Sequence, residues 1–359
     1  MGAYLKDIFA AIAVVFNAIP MAMFSLSYGF AAFPTALGFI VGGLGMLLTH
    51  QIAPISLQAE SIVLAGTISK DRNERLNIIF FSGIVMVVMG LLGLLTKTMD
   101  FIGPCVLSAM LAGVGLMLAK AGFDMIKQNK LVAGVSMASA LLTYFVFTKN
   151  DLIWTIAVSV VVSTIAHLIR AKVTGDMGGT LEVDMSKEKL IPLKLTVNPH
   201  VIRSVLAVCT LQIGGNIAYA TITAGLAGSK ANVDAITVYS GLADSASSFF
   251  GGGPVEAIIS GTAVAPHPLL AGIILVAIVA AILLTKTITK IAKYIPAQTI
   301  SGFLFTLGAF AVFAADAPEA LKLDPIVGSV VIIVTSFSDP FIGMVCGVVL
   351  KYVLKLTGA

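Results

Sequence analysis

Charge is what this sequence has least of. Only 11% of its 359 residues are Asp, Glu, Lys or Arg, against 58% hydrophobic, which excludes an ordinary soluble domain and a disordered chain. The longest hydrophilic piece runs only from Ala171 to Pro199. Cysteine is also scarce. Cys105, Cys209 and Cys346 sit inside apolar stretches, where they read as small hydrophobes and not as a disulfide framework or metal ligands. No nucleophile motif, metal-ligand spacing or phosphate-binding glycine loop is present, so no enzyme, metal or cofactor is expected. The net charge of +4 gives no argument for nucleic acid. The first apolar segment follows Lys6-Asp7, carries Asn17 and Pro20 and runs straight into another, which is not the pattern of a cleavable signal.

What the chain has is uncharged apolar runs of near-bilayer length, recurring from end to end. They predict an all-α polytopic protein of the cell membrane, with the lipid bilayer as its solvent. Spans are expected near 7–30, 34–50, 52–68, 76–96, 103–121, 131–148 and 152–170, and after the polar stretch near 201–220, 232–250, 254–264, 267–285, 296–315, 324–337 and 339–356. Seven spans in each half make fourteen. With an odd number per half, a repeated fold must enter the membrane from opposite sides, which is the inverted-repeat plan of secondary transporters.

The third and tenth segments stand out. One reads Ala53-Pro54-Ile55-Ser56-Leu57-Gln58-Ala59-Glu60-Ser61 and the other Gly253-Pro254-Val255-Glu256-Ala257-Ile258-Ile259-Ser260-Gly261. With Pro54 laid on Pro254, Ser56 matches Glu256 and Glu60 matches Ser260. Each segment predicts a short extended lead-in followed by a half helix. Such backbone is tolerated in a bilayer only where protein or a water-filled cavity supplies partners, and half-helix N-termini carry partial positive charge. A second matched pair, Asp100-Phe101-Ile102-Gly103-Pro104 and Lys293-Tyr294-Ile295-Pro296, opens the fifth and twelfth segments. The small residues that follow (Ser108, Gly113, Gly115; Ser301, Gly302, Gly308) allow close helix approach and are expected to form a smooth sliding surface.

Glu256 could merely cap a half helix, for roughly 0.5–2 kcal/mol. An ionisable group inside a bilayer costs about 2.5–3.5 kcal/mol on insertion scales, however, so the functional reading is the default. Glu256 is therefore a candidate for substrate and proton binding, and Glu60 a second candidate for proton coupling. Gln212 and Asn216 share one helical face and either hold helices together or meet a ligand. Ser56, Gln58 and Val255 complete the candidate substrate-binding set at the two lead-ins. Asn17 and Pro20 read as a kink, Asp244 as a bond to a neighbouring helix, and His50, His167, His200 and His267 as interfacial residues.

The run Gly241-Leu242-Ala243-Asp244-Ser245-Ala246-Ser247-Ser248-Phe249-Phe250-Gly251-Gly252-Gly253-Pro254 resembles the ninth-to-tenth span signature of the uracil/xanthine permeases, the nucleobase:cation symporter 2 family. The resemblance implies seven plus seven inverted spans. It divides them into a core domain (1–97 and 200–290) and a gate domain (98–170 and 291–359), joined by the loop 171–199. It also implies a substrate held between the third and tenth half helices, with Gln298 and Ser301 as gate-side residues, and it is compatible with a homodimer through the gate. The chain departs from that pattern. Thr210-Leu211-Gln212-Ile213-Gly214-Gly215-Asn216 has amides where those permeases carry a carboxylate, and the acid of the tenth segment comes early, at Glu256, with Ser260 later. Phe250-Gly251-Gly252-Gly253-Pro254-Val255 also resembles the tenth span of sulfate permease relatives, which share the fold. Those often continue with a basic residue and a soluble C-terminal domain, whereas this chain has Gly261 and stops at Ala359.

These readings lead to a secondary active transporter, with a proton-coupled purine or pyrimidine base as the expected substrate and protons or sodium as the coupling ion. One carboxylate, two amides and half-helix N–H groups match the edges of a base, and no arginine lies near either half helix, which argues against sulfate or bicarbonate. The alternative is an anion or small organic acid transporter of the sulfate permease or benzoate type. A channel, the alternative of another class, does not require paired broken helices. Lys and Arg cluster in the loops after spans 3, 5, 7 and 11. The positive-inside rule places those loops in the cytoplasm and both termini outside, opposite to the permease family.

Overall fold

A computed structural model describes residues 2–147, 152–175, 188–291, 294, 296–338 and 340–357. Asp176, Glu182, Asp184 and Lys187 of the polar stretch, and Lys293, lie outside the described residues. The chain opens with α1 (Gly2–Ser27) and α2 (Ala32–Thr49), then a three-residue strand β1 (Ile55–Leu57), the short helix α3 (Ala59–Ile68) and α4 (Arg72–Leu91). Next come α5 (Leu94–Gln128), α6 (Lys130–Leu142) with a π-helical turn at Thr143–Phe147, and α7 (Leu152–Thr174). The second half runs through α8 (Pro199–Leu226), α9 (Val233–Phe249), the strand β2 (Val255–Ala257), a 3-10 turn at Gly261–Val264, α10 (Pro268–Leu284) and α11 (Ile288–Ile291). A 3-10 turn at Ala297–Ile300 leads into α12 (Ser301–Thr306), a π-helical stretch Leu307–Phe313, α13 (Ala314–Leu323), α14 (Pro325–Phe337) and α15 (Pro340–Thr357).

Seven helical stretches among the described residues are long and apolar enough to cross a bilayer, and α10 and α14 are shorter apolar helices. Leu48, Val173, Phe337 and Leu356 are among the large apolar side chains left open on the outside, as expected where the surroundings are lipid tails. This is a multi-pass membrane protein. Several helices begin at a polar cap, where backbone N–H groups would otherwise lack partners. Asp71 accepts from Glu74 N at 2.8 Å, Asn129 from Val132 N, Asn198 from Val201 N, Asn232 from Ala235 N, and Asp324 from Ile326 N and Val327 N. Pro199 and Pro325 follow two of these caps, in the first helical turn where a missing N–H costs nothing.

Two groups of helices pack mainly among themselves. α9 lies between α2 and α4, with α10 on α2 and α8 against α4, while α5 packs on α12, α13 and α14 and α6 packs on α7. Between the groups, α8 meets α15 and α5, and α1 meets α7. Within the first group α4 and α9 approach backbone to backbone at Gly83 and Gly241, where a methyl on Gly83 would come within 2.6 Å of the Gly241 carbonyl.

The structure corrects two expectations. First, β2 is not followed by a half helix but by a single 3-10 turn. Ser260 caps that turn through Thr262 N, and Pro266 and Pro268 follow so closely that no helix can start in between. Second, Gly113, Gly115, Gly302 and Gly308 do not form a surface between the two groups. Gly113 faces Thr335 of α14, Gly302 faces Ser136 of α6, and Gly115 and Gly308 face each other, all inside the second group. The expected break before Pro104 is present. Gly103 takes φ 78° inside α5, a conformation glycine adopts without steric penalty, and the helix restarts at the proline.

At one end of the molecule the segment 188–194 runs across the first group as a strap. The Glu188 carboxylate accepts from Ala32 N and Phe33 N at 2.8 and 2.7 Å, capping α2 from a distance, and Lys286 Nζ donates to the Glu188 carbonyl at 2.6 Å. Leu193 N bonds Phe249 O. Arg72 donates to the carbonyls of Gly29 and Gly251, and Arg75 to that of Tyr28. Much of the chain's positive charge is gathered at this end.

Candidate functional site

The two lead-ins meet each other. β1 and β2 form an antiparallel pair with Ile55 opposite Ala257, Ser56 opposite Glu256 and Leu57 opposite Val255. All six residues are buried. Side chains alternate along a strand, so Ser56 and Glu256 share one face, directly opposite each other, with Val255 on the other. α9 holds this pair in place. Tyr239 OH donates to Ala53 O at 2.5 Å, Ser240 Oγ accepts from Ala257 N at 2.9 Å, and Ser247 Oγ donates to Gly253 O at 2.5 Å. Thr35 of α2 accepts from Gly253 N, and Thr223 of α8 donates to Ile258 O. The extended backbone that a bilayer would leave unsatisfied thus finds its partners in neighbouring helices.

The chemistry converges on Gln212 of α8. Its Nε2 donates to Asp244 Oδ2 at 2.8 Å and to Glu256 Oε1 at 3.1 Å, so one amide nitrogen joins acids from two different elements. With both carboxylates ionised the nitrogen faces them, because the amide oxygen in that place would set three acceptors against one another. Asp244 turns its other oxygen, Oδ1, to Val255 N at 2.6 Å, fixing the start of β2. Gln212 is 2% exposed, Asp244 1% and Glu256 6%. The Gln212 amide oxygen is buried with no hydrogen-bond partner among the described residues, which is a costly state unless something else fills the role.

The other candidates divide. Gln58 is at the start of α3 and donates to Ala257 O at 2.9 Å, tying β2 to α3. Asn216 is buried and donates to Thr237 Oγ1 at 3.3 Å, toward α9. Glu60 occupies the second residue of α3, and its side chain lies outside what the structure describes, as do those of Asn17 and Pro20. Gln298 donates to Gln128 Oε1 and Ser301 to Gly122 O, both toward α5 within the second group. The sequence places Asp244 near a membrane face or against a neighbouring helix, and the structure makes it a full member of the acidic pair. The signal was available, since an acid in the middle of an apolar span carries the same default as Glu256. No cluster among the described residues has the make-up of a metal site. His267 pairs with the buried Asp7 at 2.7 Å and His200 with Glu74 at 2.9 Å, at helix ends away from this centre.

No family model matches the sequence, and no curated protein matches it by sequence. Solved structures do match. The transmembrane domain of a cyanobacterium bicarbonate transporter, BicA, superposes with a TM-score of 0.60 at 17% identity, over 96% of this chain and 97% of that one. The overall structure of SLC26A9 gives 0.62 at 13% identity, over 99% of this chain and 66% of that one. The murine Slc26a9 anion transporter in the inward-facing state gives 0.58 at 14%, over 99% and 68%. The chain has the fold of these membrane transporters. The nucleobase:cation symporter 2 assignment is not confirmed by these neighbours.

Proposed function

We propose that this chain is a secondary transporter that moves a small anion or weak organic acid together with a proton, at a site between the β1–α3 and β2 lead-ins and α8. The observation that carries this reading is the Asp244–Gln212–Glu256 cluster. The fold likeness brings the anion, since the neighbours are named as bicarbonate and anion transporters. The cluster brings the proton. Two carboxylates that share one amide donor in a dry site repel each other and any arriving anion unless a proton sits with them. A proton on the pair removes one charge and supplies a donor to the substrate. The N-terminus of α3, whose cap residue Gln58 makes no side-chain bond to it, adds its partial positive charge.

In this reading the fourteen segments form two inverted sets of seven. α1–α4 with α8–α10 act as the core, α5–α7 with α12–α15 as the gate, and the core moves against the gate to carry the site across the membrane. A nucleobase is the second reading. The unpartnered Gln212 oxygen beside two carboxylates makes an acceptor-rich edge that suits N–H donors of a neutral heterocycle. The test is uptake of radiolabelled bicarbonate, benzoate, sulfate, uracil and xanthine into proteoliposomes with and without an imposed pH gradient. The proposal expects one of the anions to accumulate when the outside is made acidic. Accumulation of a base alone establishes the second reading, and uptake indifferent to the pH gradient contradicts proton coupling in both.

A further inference from the structure

A second place in the molecule combines an acid, an unpaired hydroxyl and open space. A cavity of about 250 Å³ lies at the seam between the two groups of helices, with α8 of the first group on one side and α5 and the stretch from the π-helical turns into α13 on the other. Leu111, Ile222, Leu226 and Val312 supply much of its apolar wall, and only Thr221 and Asp316 bring polar side chains to it. Asp316 is half-buried and makes no hydrogen bond or ion pair with a described residue. The charge that acts on it is Glu319, exposed on the same helix, and no Lys or Arg among the described residues lines the cavity. The Thr221 hydroxyl oxygen is buried without a partner among the described residues. Thr35, Thr49 and Thr306 each bond the carbonyl four residues back, a bond open to any helical hydroxyl, and Thr221 forgoes it.

The lining selects its ligand by chemistry. An unpaired carboxylate in an apolar wall favours a cation and repels an anion, and an orphan hydroxyl oxygen accepts one more N–H. A metal ion is poorly served, since Ca²⁺ takes about six to eight oxygen ligands and Mg²⁺ a near-octahedral set, and only two side chains here carry oxygen. Water partners both polar groups but wets the apolar wall, which favours an occupant with an apolar body. An ammonium ion on a small hydrophobic body meets all of these demands. An apolar cavity of about 150 Å³ takes up benzene, and the rest of this space holds a short aminoalkyl arm. Ala311 and Val312 in the wall belong to the π-helical stretch Leu307–Phe313, and π-helical turns are frequent at functional sites.

We propose that this cavity is a binding site for a small hydrophobic ammonium ion, with its N–H donors on Asp316 and Thr221 and its apolar body against Leu111, Ile222, Leu226 and Val312. The site is separate from the Asp244–Gln212–Glu256 cluster, none of whose members lines it. Because its walls come from both groups, an occupant ties α8 to α5 and α13. Binding stands apart from the transport reading. The effect on transport rests on the core-against-gate movement proposed above, which a bound ammonium slows.

The probe is 2-phenylethylammonium, with the neutral 2-phenylethanol as its control, each titrated calorimetrically into the protein in nanodiscs and into empty nanodiscs. Wild type is expected to bind the ammonium saturably and the alcohol about tenfold more weakly. Asp316→Asn is expected to weaken the ammonium by about tenfold or more, the scale of one hydrogen bond to a charged group, and to leave the alcohol nearly unchanged. Thr221→Val gives a smaller loss. Gly225→Leu tests the space independently of the acid. Gly225 lines the cavity and a Cβ added there meets nothing within 4 Å, so this variant is expected to fold and to lose both probes. Absence of saturable ammonium binding to wild type overturns the inference, as does equal affinity in wild type and Asp316→Asn, or undiminished binding in Gly225→Leu. In proteoliposomes the ammonium is expected to lower the maximal rate of radiolabelled bicarbonate, benzoate or uracil uptake by wild type without raising KM, and to act far less on Asp316→Asn. Inhibition relieved by added substrate puts the ammonium at the substrate site and overturns a separate one, and uptake at full rate with the cavity saturated overturns the tie between the groups. If wild type takes up no substrate at all, the transport reading fails and the calorimetry decides the site by itself.

Discussion

Gln212 is the residue on which the site turns, because it alone donates to both acids. In Gln212→Leu the two buried carboxylates lose their common donor, and a buried polar group left unpaired costs about 1–3 kcal/mol, more when charged. A lower unfolding temperature in detergent and loss of uptake are expected together. Gln212→Glu places a third acid in the cluster and is expected to be worse than Leu at neutral pH but to recover on acidification, which a thermal-shift series against pH checks. Glu256 and Gln212 were legible in the sequence, since polar groups in apolar spans advertise themselves. Asp244 carried the same signal, an acid inside an apolar span, but nothing in the sequence showed that it and Glu256 would share one donor. Which neighbour each amide of the Gln212/Asn216 pair turns to, Asp244 and Glu256 for one and Thr237 for the other, depends on the rotation of α9 against α8, and no local pattern in the sequence encodes that.

At the level of elements, the broken third and tenth segments were legible from their prolines and glycines. That they would pair as strands was not. Pairing satisfies the lead-ins' backbone groups on each other, and it sets Ser56 opposite Glu256, the same two positions that coincide when the segments are aligned on their prolines. The glycines were legible as close-approach sites, but their partners were not, since small residues mark contact without saying with what. Gly302 packs on Ser136 inside its own group, so Gly302→Trp is expected to unfold that group and lower the yield of folded protein, not to jam a sliding surface. Gly83→Val, facing the Gly241 backbone, is expected to destabilise the α4–α9 contact by about 1–3 kcal/mol, read as a lower unfolding temperature. Between the groups, Gly214 of α8 lies against the backbone of Phe341 in α15. Gly214→Val is expected to slow transport more than it weakens substrate binding, and the reverse order would argue against relative movement there.

For the whole molecule, the membrane class was evident from composition, while the sulfate permease alternative rested in the sequence on the short run Phe250–Val255, and at 13–17% identity the likeness to BicA and SLC26A9 is one of fold. The strap end, with Lys70, Arg72, Arg75, Lys194 and Lys286, is expected to face the cytoplasm. In a background lacking Cys105, Cys209 and Cys346, a cysteine at Val173 should be shielded from an impermeant maleimide in intact cells and one at Lys230 labelled; the opposite pattern reverses the orientation. The central claim, that the Asp244–Gln212–Glu256 cluster carries the proton with the substrate, is tested most directly by counting protons moved per substrate in proteoliposomes holding a pH dye, for wild type and Glu256→Gln. The account predicts a fixed proton uptake with each substrate in wild type, and in Glu256→Gln some remaining substrate exchange with no coupled proton movement. A Glu256→Gln protein that moves as many protons per substrate as wild type would contradict it.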